Sequence, residues 1–258
     1  MKESDIEEIQ KIKQDIKLSG FPLEIKVSSI LEKDGWNVRN QAYYIDEEKG
    51  KLRTVDIIAH KAIFEKIGDY DRFNLSLVIE CKKSDKPCVL YTTPRDKPTP
   101  IDIILLALIK QFTNPDILKS LAFVEWLQHE CHYCYEKQEE HAVISHEPFT
   151  KGKGREILGA TYQVTKALKY QLNEFRRAAS LVQMYPIFIL YPIIILDGHL
   201  YRSKPHNGDM ELQRSSSLQY FISRKEMYVI DLFESDYLPE FLKKINNDIT
   251  SLKEALST

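Results

Sequence analysis

The sequence predicts a mixed α/β fold, a central mixed sheet flanked by helices, and three observations carry that prediction. A helical stripe runs unbroken through Ile157, Ala160, Val164, Leu168, Leu172, Phe175, Ala179 and Val182, stepping by three and four. The apolar run from Ile187 to Leu196 has the length and β-branched content of a buried strand. Between Trp36 and Lys82, three strand-like segments follow helices, so both element types belong to one order of helix, strand, strand, strand.

Each element has its own warrant. Ile6, Ile9, Ile12 and Ile16 recur at helical spacing, which predicts a first amphipathic helix ending near Gly20. Pro22 suits the first turn of a second helix, whose apolar face is Leu23, Val27, Ile30 and Leu31 and whose stop is Gly35. Trp36 to Tyr44 reads as a strand, Asp46 to Gly50 as a turn, and Leu52 to Ala59 as the antiparallel partner. Phe73 to Lys82 is a third strand. Pro87 to Pro100 holds four prolines and reads as a loop. Ile101 to His129 is helical in pattern, whereas Glu130 to Gly154 is polar, without a period, and reads as an excursion from the core. After the long helix and the buried strand, Asp197-Gly198 signals a hairpin turn into Leu200-Tyr201. Leu218 to Ile222 and Met227 to Phe233 form a strand pair, and a last helix runs from about Tyr237 to Leu252. No linker divides two cores, so residues 1–258 read as one elaborated domain. Its core is about 20–86 and 156–258, with an insertion at about 87–155.

Composition narrows the function classes. With 36 Lys and Arg against 38 Asp and Glu, the net charge of -2 excludes a globally basic coat for nucleic acid but leaves room for a local basic groove. No apolar stretch is long enough to cross a bilayer, so no membrane partner is expected. The charged beginning Met1-Lys-Glu-Ser-Asp-Ile-Glu-Glu has no apolar signal core. With four cysteines, this points to reduced thiols and a cytoplasmic location.

The chemistry concentrates in Asp56, Glu80 and Lys82. In the third strand Leu77, Ile79 and Cys81 point to one face, and Val78, Glu80 and Lys82 to the other. Two charged groups thus leave a strongly apolar strand on the same side, which costs stability unless they are paired or used. Asp56, in Val55-Asp56-Ile57-Ile58, breaks strand propensity in the same way next door. Two carboxylates from adjacent strands can hold a hard cation, with positions left for water and a phosphate oxygen. A lysine one pleat further along can orient the attacking water or neutralise charge developing on phosphate.

In these residues the chain resembles the PD-(D/E)XK nuclease superfamily with its restriction-endonuclease-like core, nearest to Mrr-type and archaeal junction-resolving nucleases. The resemblance covers Phe21 to Lys83, the long helix and the segment Tyr191 to Tyr201. It implies a metal-dependent phosphodiesterase acting on DNA, with Mg²⁺ or Mn²⁺ held by Glu24, Asp56, Glu80 and the backbone carbonyl of Cys81. Lys82 would be the catalytic lysine beside Asp56 and Glu80. Gln163 and Tyr170 match a Gln and a Tyr that some relatives carry. With Lys166 on the same polar stripe and Lys83 beside the acids, they form the expected substrate-binding set. Val55 stands where the proline that names the motif would be, and the insertion is larger than in simple members.

Other readings stay open. Asp56, Glu80 and Lys82 can neutralise one another as a salt-bridge lattice on a solvated sheet face. The chain can also be a non-catalytic nucleic-acid-binding or protein-interaction relative of the same fold, and a homodimer is compatible with it. Cys131-x-x-Cys134 is half a zinc site by spacing, and His141 or His146 can complete it. No second such pair exists, so reduced thiols in a polar excursion are the expectation and zinc is not. Lys151-Gly-Lys-Gly-Arg155 precedes a helix but lacks the ending of a Walker loop.

Overall fold

A computed structural model of the chain describes residues 3–63, 72–94, 120–131, 140–149, 156–182, 186–206, 208–223 and 227–257. The described helices are α1 (Glu3–Leu18), α2 (Phe21–Lys33), α3 (Leu121–His129), α4 (Glu156–Val182) and α5 (Leu238–Ser257). The described strands are β1 (Asn37–Asp46), β2 (Lys51–Ile63), β3 (Arg72–Lys83), β4 (Cys88–Pro94), β5 (Glu140–His146), β6 (Pro186–Asp197), β7 (Leu200–His206), β8 (Asp209–Arg214), β9 (Ser217–Ser223) and β10 (Met227–Glu234). All ten strands join one mixed sheet in the order β1-β2-β3-β6-β10-β9-β5-β4-β7-β8.

Apolar residues on both faces of the central strands divide the core in two. Leu75, Leu77, Ile79 and Cys81 of β3 pack with Leu23, Val27 and Leu31 of α2, with Trp126 of α3 and with Phe241 and Ile245 of α5. Val78 of β3 packs on the other side with Ala160, Val164 and Leu168 of α4. Each fully buried Leu or Ile contributes about 1.5–3 kcal/mol, so the stripe on α4 is a principal anchor of that face. β6 is central and parallel to both β3 and β10. Its pairing with β3 runs through Pro192, whereas its pairing with β10 begins at Ile193, the residue after that proline.

Several sequence expectations are corrected. Pro87 to Pro100 is not simply a loop, because Cys88–Pro94 forms β4; residues 95–100 lie outside the described ones. The excursion from Glu130 contains β5, antiparallel to β4. Thus two strands of the expected insertion are built into the main sheet, held by backbone hydrogen bonds that polar side chains do not disclose. Asp197-Gly198 turns the chain without making a hairpin: β7 lies beside β4 and β8, away from β6. Gly198 is needed there for close approach, since a Cβ would meet the Ser84 carbonyl oxygen at 2.6 Å. Of the expected helix 101–129, only Leu121–His129 is among the described residues, and it is helical. α1 forms where its isoleucines predict it, but Ile6, Ile9, Ile12 and Ile16 remain 40–50 % exposed. Periodicity shows that a helix face is apolar, not what covers it. Among the described residues no helix is long and apolar enough to cross a membrane.

Candidate active site

Strand register brings the acids into one row. β1 and β2 pair Asn40 with Ile57 and Ala42 with Val55, which sets Gln41 level with Asp56. β2 and β3 pair Ile58 with Val78 and Ile57 with Ile79, so the next step along both strands sets Asp56 level with Glu80. The β2–β3 pairs stop at this step, and the β1–β2 pairs skip it and resume at Ala42 and Val55. In place of a backbone partner, the Cys81 N–H donates to Asp56 Oδ2 at 2.8 Å. β2 also changes face here: Val55 joins the α4 side of the core, whereas Ile57 joins the opposite side. α2 places Glu24 over the row, where its Oε2 accepts from the Gln41 amide at 2.6 Å.

Glu80 is the most unusual group. Its side chain is fully buried, and Oε2 accepts from Lys82 Nζ at 2.9 Å. Oε1 is shielded from solvent and has no hydrogen-bond partner among the described residues. Burial first, and then the Asp56 charge, push the Glu80 carboxyl up to about 7. Burial likewise raises Asp56 and Glu24 above the usual carboxylate range. Burial acts against the Lys82 ammonium, but Glu80 and Asp56 hold it above its ordinary value. The row therefore stores repulsion between acids and offsets it with one lysine. Burial first, and then the Asp56, Glu24 and Glu80 charges, push the Cys81 thiol up as well, which keeps it protonated and unreactive.

This donor set suits a hard cation. Mg²⁺ is commonly bound by one or two carboxylates and otherwise keeps its waters. An orphaned buried oxygen on Glu80 beside Asp56 fits that requirement. Among the described residues, no three His, Cys, Asp or Glu side chains stand in position to enclose a metal by themselves. Glu24 therefore borders the Asp56–Glu80 pair without closing it into a three-acid cage.

The other expected residues have distinct places. Lys83 points away from Glu80, and its Nζ donates to the Lys17 carbonyl at the end of α1. Lys166 Nζ pairs with Asp46 at 2.8 Å and with Glu48 at 2.9 Å. Asn173 donates to Glu47 at 2.7 Å, so the polar stripe of α4 clasps the β1–β2 turn. Gln163 and Lys166 line an open cavity of about 340 Å³ with Tyr44, Arg53 and Tyr162. Tyr44 is almost fully buried and lies close enough to Glu80 for that acid to help raise its phenol above the usual value, after burial. Tyr170 packs against the α4-side core. Cys131 is buried, its Sγ 3.9 Å from Asp248 Oδ2, while His141 sits edge-on to Phe221. His146 is level with Val89 at the end of β5. Cys134 and Lys151 to Arg155 lie outside the described residues.

Sequence reasoning missed Gln41 and Tyr44. The one trace of Gln41 is the polar run Arg39-Asn40-Gln41 inside a strand, which breaks an otherwise alternating pattern. Tyr44 reaches the site through folding alone. No family model, no curated protein and no solved structure matches this chain.

Proposed function

We propose that the chain is a metal-dependent phosphodiesterase acting on DNA, with a site like that of the PD-(D/E)XK nucleases and a restriction-endonuclease-like core. The observation that carries this reading is Glu80: a fully buried acid with one unpartnered oxygen, level with Asp56 and bonded to Lys82. A structural carboxylate is normally satisfied on both oxygens. Leaving one unmet is costly, and such costs gather at functional sites. Asp56 and Glu80 would hold Mg²⁺ or Mn²⁺, which when bound supplies Lewis-acid polarisation of a phosphate oxygen and a water of lowered pKa. The Lys82 ammonium, released from Glu80, neutralises charge that develops on the phosphate or orients the attacking water. The buried row keeps these charges in a low dielectric, where they act strongly.

The test is cleavage of a labelled DNA with Mg²⁺ or Mn²⁺ by wild type, Glu80→Ala and Asp56→Ala. Loss of metal-dependent cleavage in both folded variants supports the reading; wild-type rates in both refute it. A second reading, a non-catalytic relative of the same fold, draws on the Lys82–Glu80 ion pair at 2.9 Å, which can be an end in itself. In that case the wild type binds DNA and cuts none with either metal.

A further inference from the structure

Gln41 is the residue of the row that carries no charge, and its backbone is unusual. Its φ is 48°, in the left-handed region that glycine favours and that few other residues adopt. The β1–β2 ladder has no pair at Gln41 although the register continues unbroken on either side. β1 changes face at the same level, with Val38 packing on the α2 side and Ala42 and Tyr44 on the α4 side. β2 makes the matching change at Asp56. The change of face on β1 thus falls level with the point where Asp56 accepts from the Cys81 N–H. The Gln41 side chain then donates to Glu24 Oε2. One turn further along α2, Ser28 donates to Asn40 and holds the helix to the strand independently. Strain of this kind persists where the surroundings over-determine it, and it is enriched at functional sites.

We propose that Gln41 is a positioning residue: its left-handed backbone releases Asp56 from the ladder, and its amide fixes the Glu24 carboxylate at the border of the Asp56–Glu80 pair. The inference rests on the reading of Asp56 and Glu80 as metal ligands. The probe is Mn²⁺ alone, its affinity measured by electron paramagnetic resonance or calorimetry. The proteins are full-length wild type, Gln41→Gly, Glu24→Ala and the double variant, with melting temperatures in EDTA. Gln41→Gly keeps the left-handed backbone and deletes only the amide. It is expected to weaken Mn²⁺ binding about tenfold, the usual scale for a residue that supports a metal site from outside its ligands, without lowering the metal-free melting temperature. In the Glu24→Ala background the same change should have no further effect, because the amide then has nothing to fix. Should Gln41→Gly unfold, Gln41→Asn makes the same comparison, since Asn also tolerates this backbone and its amide falls one methylene short. Unchanged Mn²⁺ affinity, or an equal loss in the Glu24→Ala background, overturns the inference. Wild type that binds no Mn²⁺ sinks the reading on which it rests, and the inference with it.

Discussion

Replacing Glu80 by Gln should stabilise the metal-free protein at neutral and alkaline pH. The carboxyl is raised from 4.5 to about 7 in the folded chain, chiefly by burial. Every tenfold change in proton affinity between the folded and unfolded chain is worth about 1.36 kcal/mol, so ionised Glu80 destabilises the fold by about 3 kcal/mol once the pH is well above 7. The sign follows from proton binding. Between pH 4.5 and 7 the folded state keeps a proton that the unfolded state has lost, so stability falls as pH rises and then levels off. Asp56 is raised as well and adds to the same slope, while Lys82 stays protonated throughout this window. Glu80→Gln removes the ionisation but also weakens the Lys82 pair, whose lysine side chain is 22 % exposed. The net gain at pH 8 is therefore about 1–3 kcal/mol, each kcal/mol raising the melting temperature by about 2–4 °C. Urea denaturation in EDTA from pH 5 to 8.5 reads the difference between the two proteins. Excess Mg²⁺ should cancel or reverse the difference, because a ligand at a hundred times its Kd stabilises only the protein that binds it, by about 2.7 kcal/mol. If Glu80→Gln is no more stable than wild type at pH 8 and keeps the same pH slope, Glu80 is an ordinary structural ion-pair partner.

Other outcomes follow from the same geometry. Lys82→Ala should cut single-turnover cleavage at least about a hundredfold, the lower bound for a positioned acid–base group, with little change in Mn²⁺ affinity. Lys83→Ala should leave turnover intact and weaken DNA binding mainly at low salt; the reverse pattern would put Lys83, not Lys82, on the face of β3 that carries the chemistry. His60, lowered by burial to about 4, hydrogen-bonds with Arg39 and Ser76 and should stay neutral at pH 5, which an NMR titration reads directly. Because its folded pKa is depressed, the protein loses stability as pH falls from 6.5 towards 4, and His60→Asn should flatten that limb. Gly198→Ala should cost about 1–3 kcal/mol in urea unfolding at unchanged m, because the new Cβ meets backbone at Ser84; a neutral result would mean that the β6–β7 corner yields freely.

Periodicity alone determined most helices and the central strands of this protein. A three-and-four step fixes α4 whatever it packs on, and β-branched runs fix β3 and β6, because local burial patterns follow the backbone's own repeat. The alternation in β3 also placed Glu80 and Lys82 on one face and Lys83 on the other, as the ion pair at 2.9 Å bears out. The sequence likewise marked Asp56 as an acid where a strand wants an apolar residue. What it left undetermined is non-local. β4 and β5 are strands because sheet neighbours from distant parts of the chain complete their hydrogen bonds, and Asp197-Gly198 turns the chain away from a hairpin because β10 already occupies that side of β6. The level row of Gln41, Asp56 and Glu80 exists only through strand register, and a one-residue slip would have turned each side chain to the other face. The change of face at Gln41 and Asp56 has no local code either, since a φ of 48° in a glutamine is stable only while the strands and α2 around it hold it there.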